Sequence, residues 1–314
     1  MSGAANSSSQ PAPSELPLLD LLYQRGLANG VAGLAIVGPE RMREIEPHAA
    51  GLKALHVPGT GIVDYGAVAR VLADLIQRRG AELRTSTQVL GASRRDSEWI
   101  LDTSQGAVRS KYLITCGGLY ADRLARMAGG PTDLRIIPFR GEYYALVPPR
   151  RGLVRAMIYP MPNPALPFLG VHFTRGIDGS VHAGPNAVLA LRREGYRRGD
   201  VRLGDMLEMA RFPGFWRMVW TYRSLGLSEC VRALDKEAFV RSLQRLVPGV
   251  RAEDLVPGGS GVRAQAVDRH GHLIDDFDIV QQERAVHVRN VPSPAATASI
   301  RIGRIIAEQV ASAL

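Results

Sequence analysis

The stretch YLITCGGLYADRLARMAG, residues 112–129, joins an apolar run to an amphipathic segment through two consecutive glycines. Tyr112, Leu113 and Ile114 predict a strand in a buried sheet position. Gly117 and Gly118 predict a sharp turn, because glycine adopts backbone conformations that other residues avoid. The segment after them predicts a helix. A strand, two glycines and a helix in this order are typical of an α/β unit.

The chain before this unit predicts a helix and several strands. Asp64 suits the N-cap of a helix that ends at Gly80, and its apolar residues recur at helical spacing: Val68, Val71, Leu72, Leu75 and Ile76. The segments that follow predict strands, namely AELRTSTQVLGASRR (81–95), EWILDTS (98–104) and GAVRSKYLITC (106–116). This order of elements is typical of a nucleotide-binding domain.

From residue 131 the pattern changes to antiparallel strands and then to helices. The predicted strands are RIIPFRGEYYALVP (135–148), PFLGVHFTR (167–175) and GSVHAGPNA (179–187), and residues 201–247 predict helices. The segments GVRAQAV (261–267), DIV (278–280) and AVHVR (285–289) predict strands again, and a helix runs from Pro294 onward. We therefore expect a mixed α/β fold, with a nucleotide-binding-like domain that is interleaved in sequence with an antiparallel-sheet domain.

Composition excludes several classes of protein. The 314 residues are 46% hydrophobic and 22% charged, which is typical of a globular chain with a core. No apolar run approaches the roughly 18 residues of a membrane-spanning helix, and MSGAANSSSQPAPSE does not have the features of a signal peptide. Two cysteines, Cys116 and Cys230, predict neither a disulfide framework nor a zinc cage, so we expect a cytoplasmic protein.

The net charge of +9 favours acidic partners. Only three residues are lysines, and the arginines are scattered with few aromatic neighbours, so we expect no binding of nucleic acid. Acidic small molecules and an anionic membrane surface fit this charge equally well.

Common catalytic motifs are absent from the sequence. It contains no G-x-x-x-x-G-K-S/T, H-E-x-x-H, C-x-x-C or G-x-S-x-G, which excludes the usual forms of four enzyme classes. A complete G-x-G-x-x-G is also missing, and the nearest match, residues 259–264, predicts a turn. His270 and His272 are close in sequence but have no evident third ligand nearby, so we predict a turn there and no metal site.

Two glycine-rich or small-residue segments are candidates for binding. At Gly117 and Gly118 a ligand can approach the backbone, although a purely structural turn explains the glycines equally well. In AVHVRNVPSPAATASIRIG (285–303), Ser293 predicts an N-cap and Pro294 the first helical position. The small residues that follow leave helix amides open to an anionic group, while Ile302, Ile305, Ile306 and Val310 predict its buried face.

Two further side chains are candidates for chemistry. Arg263 lies in an alternating stretch and needs a partner, either a substrate carboxylate or an acidic side chain such as Asp275 or Asp276. His172 lies on a predicted strand, where it is either a group that moves a hydroxyl proton or an ordinary core histidine.

Six stretches together resemble the FAD-dependent L-2-hydroxyglutarate dehydrogenase/oxidase family, within the D-amino-acid-oxidase-like flavoproteins. They occur in the family's order from about residue 16 to residue 312: HVPGTGIVDYGAVARVLA (56–73), CGGLYADRLARMAG (116–129), PFRGEYYAL (138–146), residues 158–196, GVRAQAVDRHGHLIDDF (261–277) and NVPSPAATASIRIG (290–303). The resemblance implies oxidation of L-2-hydroxyglutarate to 2-oxoglutarate, with hydride transfer to the N5 atom of FAD and electron transfer to oxygen or a quinone.

The resemblance also implies roles for individual residues. Arg263 would hold the substrate carboxylate, Arg140, Tyr143 and His172 would border the substrate pocket, and His172 would serve as the base. The residues implied to contact the cofactor are Val89 beside the adenine, Cys116, Gly117 and Gly118 at the turn, and Ser293, Pro294, Ala295, Ala296 and Thr297 beside the flavin.

The expected domains are a disordered lead-in at 1–15, a partial FAD-binding domain at 16–130 with some substrate-domain elements at its start, an antiparallel-sheet substrate domain at 131–258, and a return to the FAD-binding domain with the C-terminal helix at 259–314. Peripheral contact with the inner face of a membrane is a further expectation.

One departure from the family pattern affects these expectations. Family members begin with a strand, G-x-G-x-x-G and a helix, and this βαβ portion has no counterpart in the sequence. We therefore expect exposed apolar surface and open sheet edges. Two alternatives follow: a non-catalytic remnant or partner subunit without firmly bound flavin, and a flavin oxidase of another 2-hydroxy acid or an amino acid.

Overall fold

The computed structural model describes residues 6–8, 15–162, 170–292 and 295–312. The strands in these ranges are β1 (Asn6–Ser8), β2 (Ala35–Val37), β3 (Ala54–Val57), β4 (Val89–Arg95), β5 (Glu98–Thr103), β6 (Gly106–Ser110), β7 (Leu113–Thr115), β8 (Leu134–Leu146), β9 (Met157–Tyr159), β10 (His172–Arg175), β11 (Val181–Gly184), β12 (Val188–Leu189), β13 (Leu255–Asp268), β14 (Asp278–Gln282) and β15 (Ala285–Asn290). The helices are α1 (Leu16–Ala28), α2 (Pro39–Ile45), α3 (Tyr65–Arg78), α4 (Ala121–Met127), α5 (Leu203–Ala210), α6 (Pro213–Thr221), α7 (Arg223–Leu234), α8 (Lys236–Gln244) and α9 (Ala295–Ala311). The mixed α/β fold class predicted from the sequence is confirmed.

The chain divides into two compact units, which are interleaved in sequence. Unit 1 comprises Met1–Val63, Arg140–Leu189 and Arg223–Val262, and unit 2 comprises Asp64–Phe139, Ala190–Tyr222 and Arg263–Leu314. Within the described residues, no helix combines the length and the apolar composition needed to cross a membrane.

Unit 1 is built on a sheet in the order β12-β8-β11-β10-β9-β1-β3-β2, with β13 also paired to β8. Neighbouring strands β8, β11, β10 and β9 are antiparallel, whereas β1 and β9 are parallel. One face of this sheet forms a core with α8, in which Phe173, Leu146 and Phe239 are almost completely buried. Burial of such side chains stabilises the unit by about 1.5–3 kcal/mol each.

Unit 2 contains two three-stranded sheets, β14-β15-β7 and β4-β5-β6. β7 and β15 are parallel, with Ala285 opposite Leu113 and His287 opposite Thr115. On one side of this sheet, Ile306 of α9 packs with Val286 and Val288 of β15. α4 contacts β15 and β7 as well.

The predicted helix at 64–80 is confirmed. α3 begins after Asp64, whose Oδ1 accepts the backbone N–H of Ala67 at 3.0 Å, and Gly80 follows the helix with a φ of +86°. The apolar stripe of α3 does not pack against other described residues to any depth: Val71, Leu72, Leu75 and Ile76 are between 41% and 56% exposed. The expectation of exposed apolar surface is therefore met on this helix.

Four local expectations from the sequence were wrong. Residues 81–88 are not a strand, because the backbone at Ser86 has a positive φ and β4 begins only at Val89. Ile114 is 44% exposed rather than buried, and Ile305 of α9 is also exposed. Residues 259–264 lie within β13 rather than in a turn. Glycine suits this strand because the backbone of β13 lies close to β8: a Cβ at the neighbouring Gly258 would lie 2.7 Å from the carbonyl carbon of Tyr144.

The predicted turn at His270 and His272 is confirmed. Asp268 Oδ1 accepts the backbone N–H groups of both histidines, and Asp268 Oδ2 lies 2.9 Å from His272 Nδ1. The carboxylate of Asp268 therefore stabilises the turn through contacts with both histidines.

Candidate functional site

The turn after β7 exposes backbone at the carboxyl end of a parallel strand. Gly118 has a φ of +53°, and a Cβ at this position would meet no atom within 4 Å, so the space beside it is open. Gly117 suits the turn for a different reason, because a Cβ there would lie 2.6 Å from Leu124 Cδ1 and 3.2 Å from the backbone nitrogen of Ala121. Cys116 is exposed, and partial burial of its thiol raises the pKa above the ordinary value, which favours the thiol over the thiolate.

A buried histidine supports this turn from the neighbouring strand. Thr115 Oγ1 lies 2.9 Å from His287 Nδ1, and His287 Nε2 lies 3.0 Å from Gln282 Oε1. The amide oxygen of Gln282 can only accept, so Nε2 carries the proton and Nδ1 accepts the hydroxyl proton of Thr115. Burial, together with the nearby Arg289, lowers the pKa of His287 and keeps the ring neutral.

The start of α9 lies beyond the end of the next strand, β15. β7 and β15 are parallel, so their carboxyl ends lie at the same edge of the sheet, which is where ligands bind in open α/β sheets. The first residues of α9 are small: Ala296 and Thr297 are exposed, and Ala295 is half-buried. Ser293 and Pro294 lie outside the described residues.

Polar contacts fix the end of β15. The buried guanidinium of Arg289 donates to both carboxylate oxygens of Asp278, at 2.7 and 2.8 Å, and to Asp133 at 2.5 Å. Asn290 donates to the carbonyl oxygens of Ile274 and Asp276. A buried arginine needs such carboxylates, because an unpaired charge in this position would be strongly destabilising.

In unit 1, two of the predicted residues lie on the same face of the sheet. Phe173 on β10 and Tyr144 on β8 contribute to the core face, and strand residues alternate between faces. His172 and Tyr143 therefore belong to the opposite face. His172 is paired with Gly184, and a Cβ at Gly184 would lie 3.2 Å from Tyr143 Cδ1, so the three residues are neighbours.

The surroundings of His172 define its protonation. Its Nδ1 lies 2.9 Å from the carbonyl oxygen of Gly170, which can only accept a hydrogen bond. Nδ1 therefore carries the proton, and Nε2 presents a lone pair. The ring stacks on Tyr159 with centroids 4.4 Å apart, and burial lowers the pKa of His172 below 6.5. A neutral imidazole with a fixed tautomer is suited to accept a proton.

Arg140 occupies a different environment. Alternation along β8 assigns it and Glu142 to the face of Tyr144, and Arg140 Nε lies 3.2 Å from Glu142 Oε1. Asn186 Oδ1 accepts the backbone N–H of Glu142 at 2.8 Å. The structure thus groups His172 with Tyr143 and separates Arg140 from them.

The remaining predicted residues lie in unit 2. Val89 is the half-buried first residue of β4 and is paired with Thr103. Arg263 is half-buried on β13, next to Ala264, which packs with Leu134 and Ile136.

Sequence reasoning missed three residues with a clear structural effect on the site. Thr115 and His287 form the buried support of the turn, and Tyr159 stacks on His172. The alternation of AVHVR places His287 on the face of Ala285 and Arg289, but its partner on β7 is 172 residues away in sequence. The contact between His287 and Thr115 becomes evident only from the pairing of β15 with β7.

Solved structures share this fold. L-α-glycerophosphate oxidase from Mycoplasma pneumoniae, solved with FAD bound, has a TM-score of 0.75 at 20% identity, covering 98% of this chain and 72% of that one. Glycine oxidase from Geobacillus kaustophilus has a TM-score of 0.64 at 17% identity, with 98% and 71% covered. At such identities the likeness concerns the fold alone.

Sequence relatives are considerably closer. The L-2-hydroxyglutarate dehydrogenase of Indibacter alkaliphilus is 44% identical over 94% of this chain and 74% of its own length. The mitochondrial L-2-hydroxyglutarate dehydrogenase of Homo sapiens is 41% identical, with 94% of this chain and 68% of that protein covered. The family described as FAD dependent oxidoreductase (DAO) matches residues 5–309. With nearly the whole length matched, the chain belongs to this DAO family of FAD-dependent oxidoreductases.

Proposed function

We propose that this chain oxidises L-2-hydroxyglutarate to 2-oxoglutarate with FAD. The observation that carries the proposal is the identity of more than 40% to proteins named L-2-hydroxyglutarate dehydrogenase, over more than nine-tenths of the chain. When bound, FAD supplies the hydride acceptor for the hydrogen on C2 of the substrate. The protein residues then have two tasks: they hold the dianionic substrate, and they accept the hydroxyl proton.

The residues at the carboxyl edge of β7 and β15 suit a flavin nucleotide. Gly118 leaves open space beside exposed backbone, and the first turn of α9 has small, accessible side chains. Backbone amides in such positions bind anionic groups such as phosphates. Cys116, Gly117, Gly118 and residues 293–297 would hold the cofactor, with Val89 on the side of the adenine.

Arg263 is the proposed clamp for a substrate carboxylate. A guanidinium binds a carboxylate through two parallel hydrogen bonds, which fixes the orientation of the substrate as well as its charge. In unit 1, Tyr143 is a further proposed substrate contact because it lies on the same face as His172, whereas Arg140 lies on the opposite face with Glu142.

His172 is the proposed base. Its Nδ1 donates to the Gly170 carbonyl, and the pKa of the ring is lowered by burial, so Nε2 can take the hydroxyl proton while C2 loses its hydride. The C–O bond becomes a carbonyl, which gives the 2-oxo acid.

A second candidate function is a non-catalytic subunit. The exposed apolar stripe of α3 favours it, since exposed apolar surface is typical of a protein that packs against a partner. Such a protein would keep the substrate-binding elements without retaining flavin.

The visible spectrum of the purified chain separates these functions. We expect flavin absorption after incubation with FAD and removal of the unbound cofactor, and anaerobic bleaching by L-2-hydroxyglutarate but not by its D enantiomer. A folded protein that stays colourless would contradict the proposal and favour the non-catalytic subunit. Bleaching by a different hydroxy acid or an amino acid alone would overturn the assignment of the substrate.

Replacement of Arg263 tests the carboxylate clamp. Because Arg263→Ala removes a bidentate charge pair, we expect KM for L-2-hydroxyglutarate to rise about 100-fold, with flavin content unchanged. Arg263→Lys keeps the positive charge but cannot form two parallel hydrogen bonds to a carboxylate, so its KM should be intermediate. Arg269→Ala, an exposed arginine in the turn after β13, is the matched control. A normal KM in Arg263→Ala would rule out the assigned role.

A pH profile tests His172. In the unaltered chain we expect kcat/KM to rise with pH through a pKa below 6.5 and then to stay level, because only the neutral ring accepts a proton. His172→Ala should lower kcat about 10²–10⁴-fold and abolish this rise. His182→Asn is the matched control, since Thr174, two residues after His172, pairs with His182 on the neighbouring strand. If the rise persisted in His172→Ala, another group would be the base.

We also propose peripheral contact with the cytoplasmic face of an anionic membrane, where a quinone would accept the electrons. Five exposed apolar side chains lie on α5 and α6, which we call the α5–α6 surface: Leu203, Leu207, Trp216, Val219 and Trp220. Six exposed arginines accompany them in sequence: Arg192, Arg197, Arg198, Arg202, Arg211 and Arg217. Aromatic and aliphatic side chains beside arginines are typical of interfacial helices.

Vesicle binding tests this contact. We expect the chain to sediment with phosphatidylglycerol vesicles and not with phosphatidylcholine vesicles, and the binding to weaken as salt is added. The double variant Leu203→Ser/Trp220→Ser should lose binding at little cost to folding, because both side chains are more than 70% exposed. Phe277→Ser, on another exposed apolar residue, is the control. Equal sedimentation of the double variant would show that the α5–α6 surface is not involved.

A further inference from the structure

Arg193 makes most of its side-chain hydrogen bonds to residues at the start of α4, and its Nη2 also lies 3.4 Å from Glu208 Oε2 on α5. Its guanidinium, with a side-chain exposure of 3%, donates from Nη1 to Asp122 Oδ1 at 2.5 Å and from Nη2 to Asp122 Oδ2 at 2.8 Å. Nη1 also lies 2.6 Å from the carbonyl oxygen of Leu119. Leu119 directly follows Gly118, so a residue distant in sequence is bonded to the backbone of the glycine turn.

Asp122 is shared between this arginine and the local backbone. Its Oδ1 accepts the N–H of Arg123 at 2.9 Å, and its Oδ2 accepts the N–H of Ile136 at 3.2 Å. Each carboxylate oxygen therefore accepts a charged and a neutral donor. Because a buried carboxylate is stable only when fully paired, Asp122 and Arg193 depend on each other for their positions.

Arg193 itself is held by a second acidic group. Its backbone N–H donates to Asp205 Oδ2 at 2.9 Å, and Asp205 also pairs with Arg123. Glu208 joins Arg123 and Arg126, and although burial opposes it, their hydrogen bonds lower the pKa of Glu208 to about 2. Glu208 therefore stays ionised at neutral pH. Arg193 is held through its backbone by Asp205, while its guanidinium bonds to the carbonyl oxygen of Leu119.

The turn needs such an external contact. Gly118 adopts a positive φ with open space around it, and glycine imposes little conformational preference of its own. The hydrogen bond from Tyr120 N–H to the Gly117 carbonyl closes the turn locally, whereas the bond to Leu119 fixes it against the rest of unit 2.

We propose that Arg193 is the positioning residue of the Cys116–Gly118 turn and that it holds this backbone in the shape that receives FAD. The inference rests on the proposed function, in which this turn contacts the cofactor. Arg193 acts through Leu119 and Asp122 and does not itself touch the cofactor. Preorganisation of a binding backbone raises affinity because less freedom is lost when the ligand binds.

The chain offers a matched control for this role. Arg126 belongs to the same network, and its Nη2 lies 2.6 Å from Glu208 Oε1, so it contacts a carboxylate of the network rather than the backbone of the turn. Comparison of variants at Arg126 and Arg193 therefore distinguishes general stabilisation of unit 2 from positioning of the turn.

Two measurements on the full chain test the proposal. The first is hydrogen exchange of the amides at 117–121 without flavin, and the second is the dissociation constant for FAD. For Arg193→Met we expect faster exchange confined to residues 117–121 and FAD binding weakened about tenfold or more. Arg193→Lys retains a charge for Asp122 and should restore the melting temperature more completely than the affinity for FAD. Arg126→Met should leave both measurements unchanged.

Asp122→Asn provides a second variant if Arg193→Met does not fold, since it weakens the pair while keeping the shape of the side chain. Unchanged exchange at 117–121 in the folded variants would overturn the positioning role. Faster exchange throughout unit 2 would overturn it too, in favour of a general stabilising role. In a third outcome, the unaltered chain binds no FAD while exchange at the turn still rises in Arg193→Met. This result would contradict the proposed function, and it would show that Arg193 holds the turn without any role in cofactor binding.

Discussion

The parallel pairing of β7 with β15 is the constraint on which the proposed cofactor site depends. Because the two strands run in the same direction and His287 lies opposite Thr115, the glycine turn and the start of α9 follow strands that end at one edge of the sheet. The buried hydrogen bond between Thr115 and His287 connects the same pair of positions through side chains. A shift of this register would separate the two segments and remove the common edge.

Local patterns in the sequence predicted the local structure well. Asp64 was expected to cap a helix, and its carboxylate does accept an amide of the first turn. The periodicity of α3 predicted the helix correctly, because spacing at 3.6 residues depends only on the segment itself. The same periodicity could not say whether the apolar stripe is covered, since that depends on which elements lie beside it. Ile114 illustrates the same limit, as an apolar residue in a strand whose neighbours leave its side chain accessible.

The candidate site shows a similar division. Gly117 and Gly118 were recognisable from the sequence, because few structures other than a tight turn require two glycines between a strand and a helix. The pair of Arg193 and Asp122 could not be recognised in this way, because 71 residues separate them. An arginine in a basic segment is also usually exposed to solvent. The tautomer of His172 could not be predicted from the sequence either, because it depends on a hydrogen bond to the backbone carbonyl of Gly170. Its position beside Tyr143 follows from strand register rather than from any motif.

The uncovered stripe of α3 has a consequence for the behaviour of the chain in solution. Val71, Leu72, Leu75 and Ile76 form contiguous apolar surface, and such surface drives colloidal association. The net charge of +9 opposes this association by mutual repulsion between molecules. Repulsion is screened within about 8 Å at physiological ionic strength, whereas hydrophobic attraction is not weakened by salt. The chain should therefore be most soluble in dilute, low-salt buffer, and sulfate or phosphate should precipitate it readily.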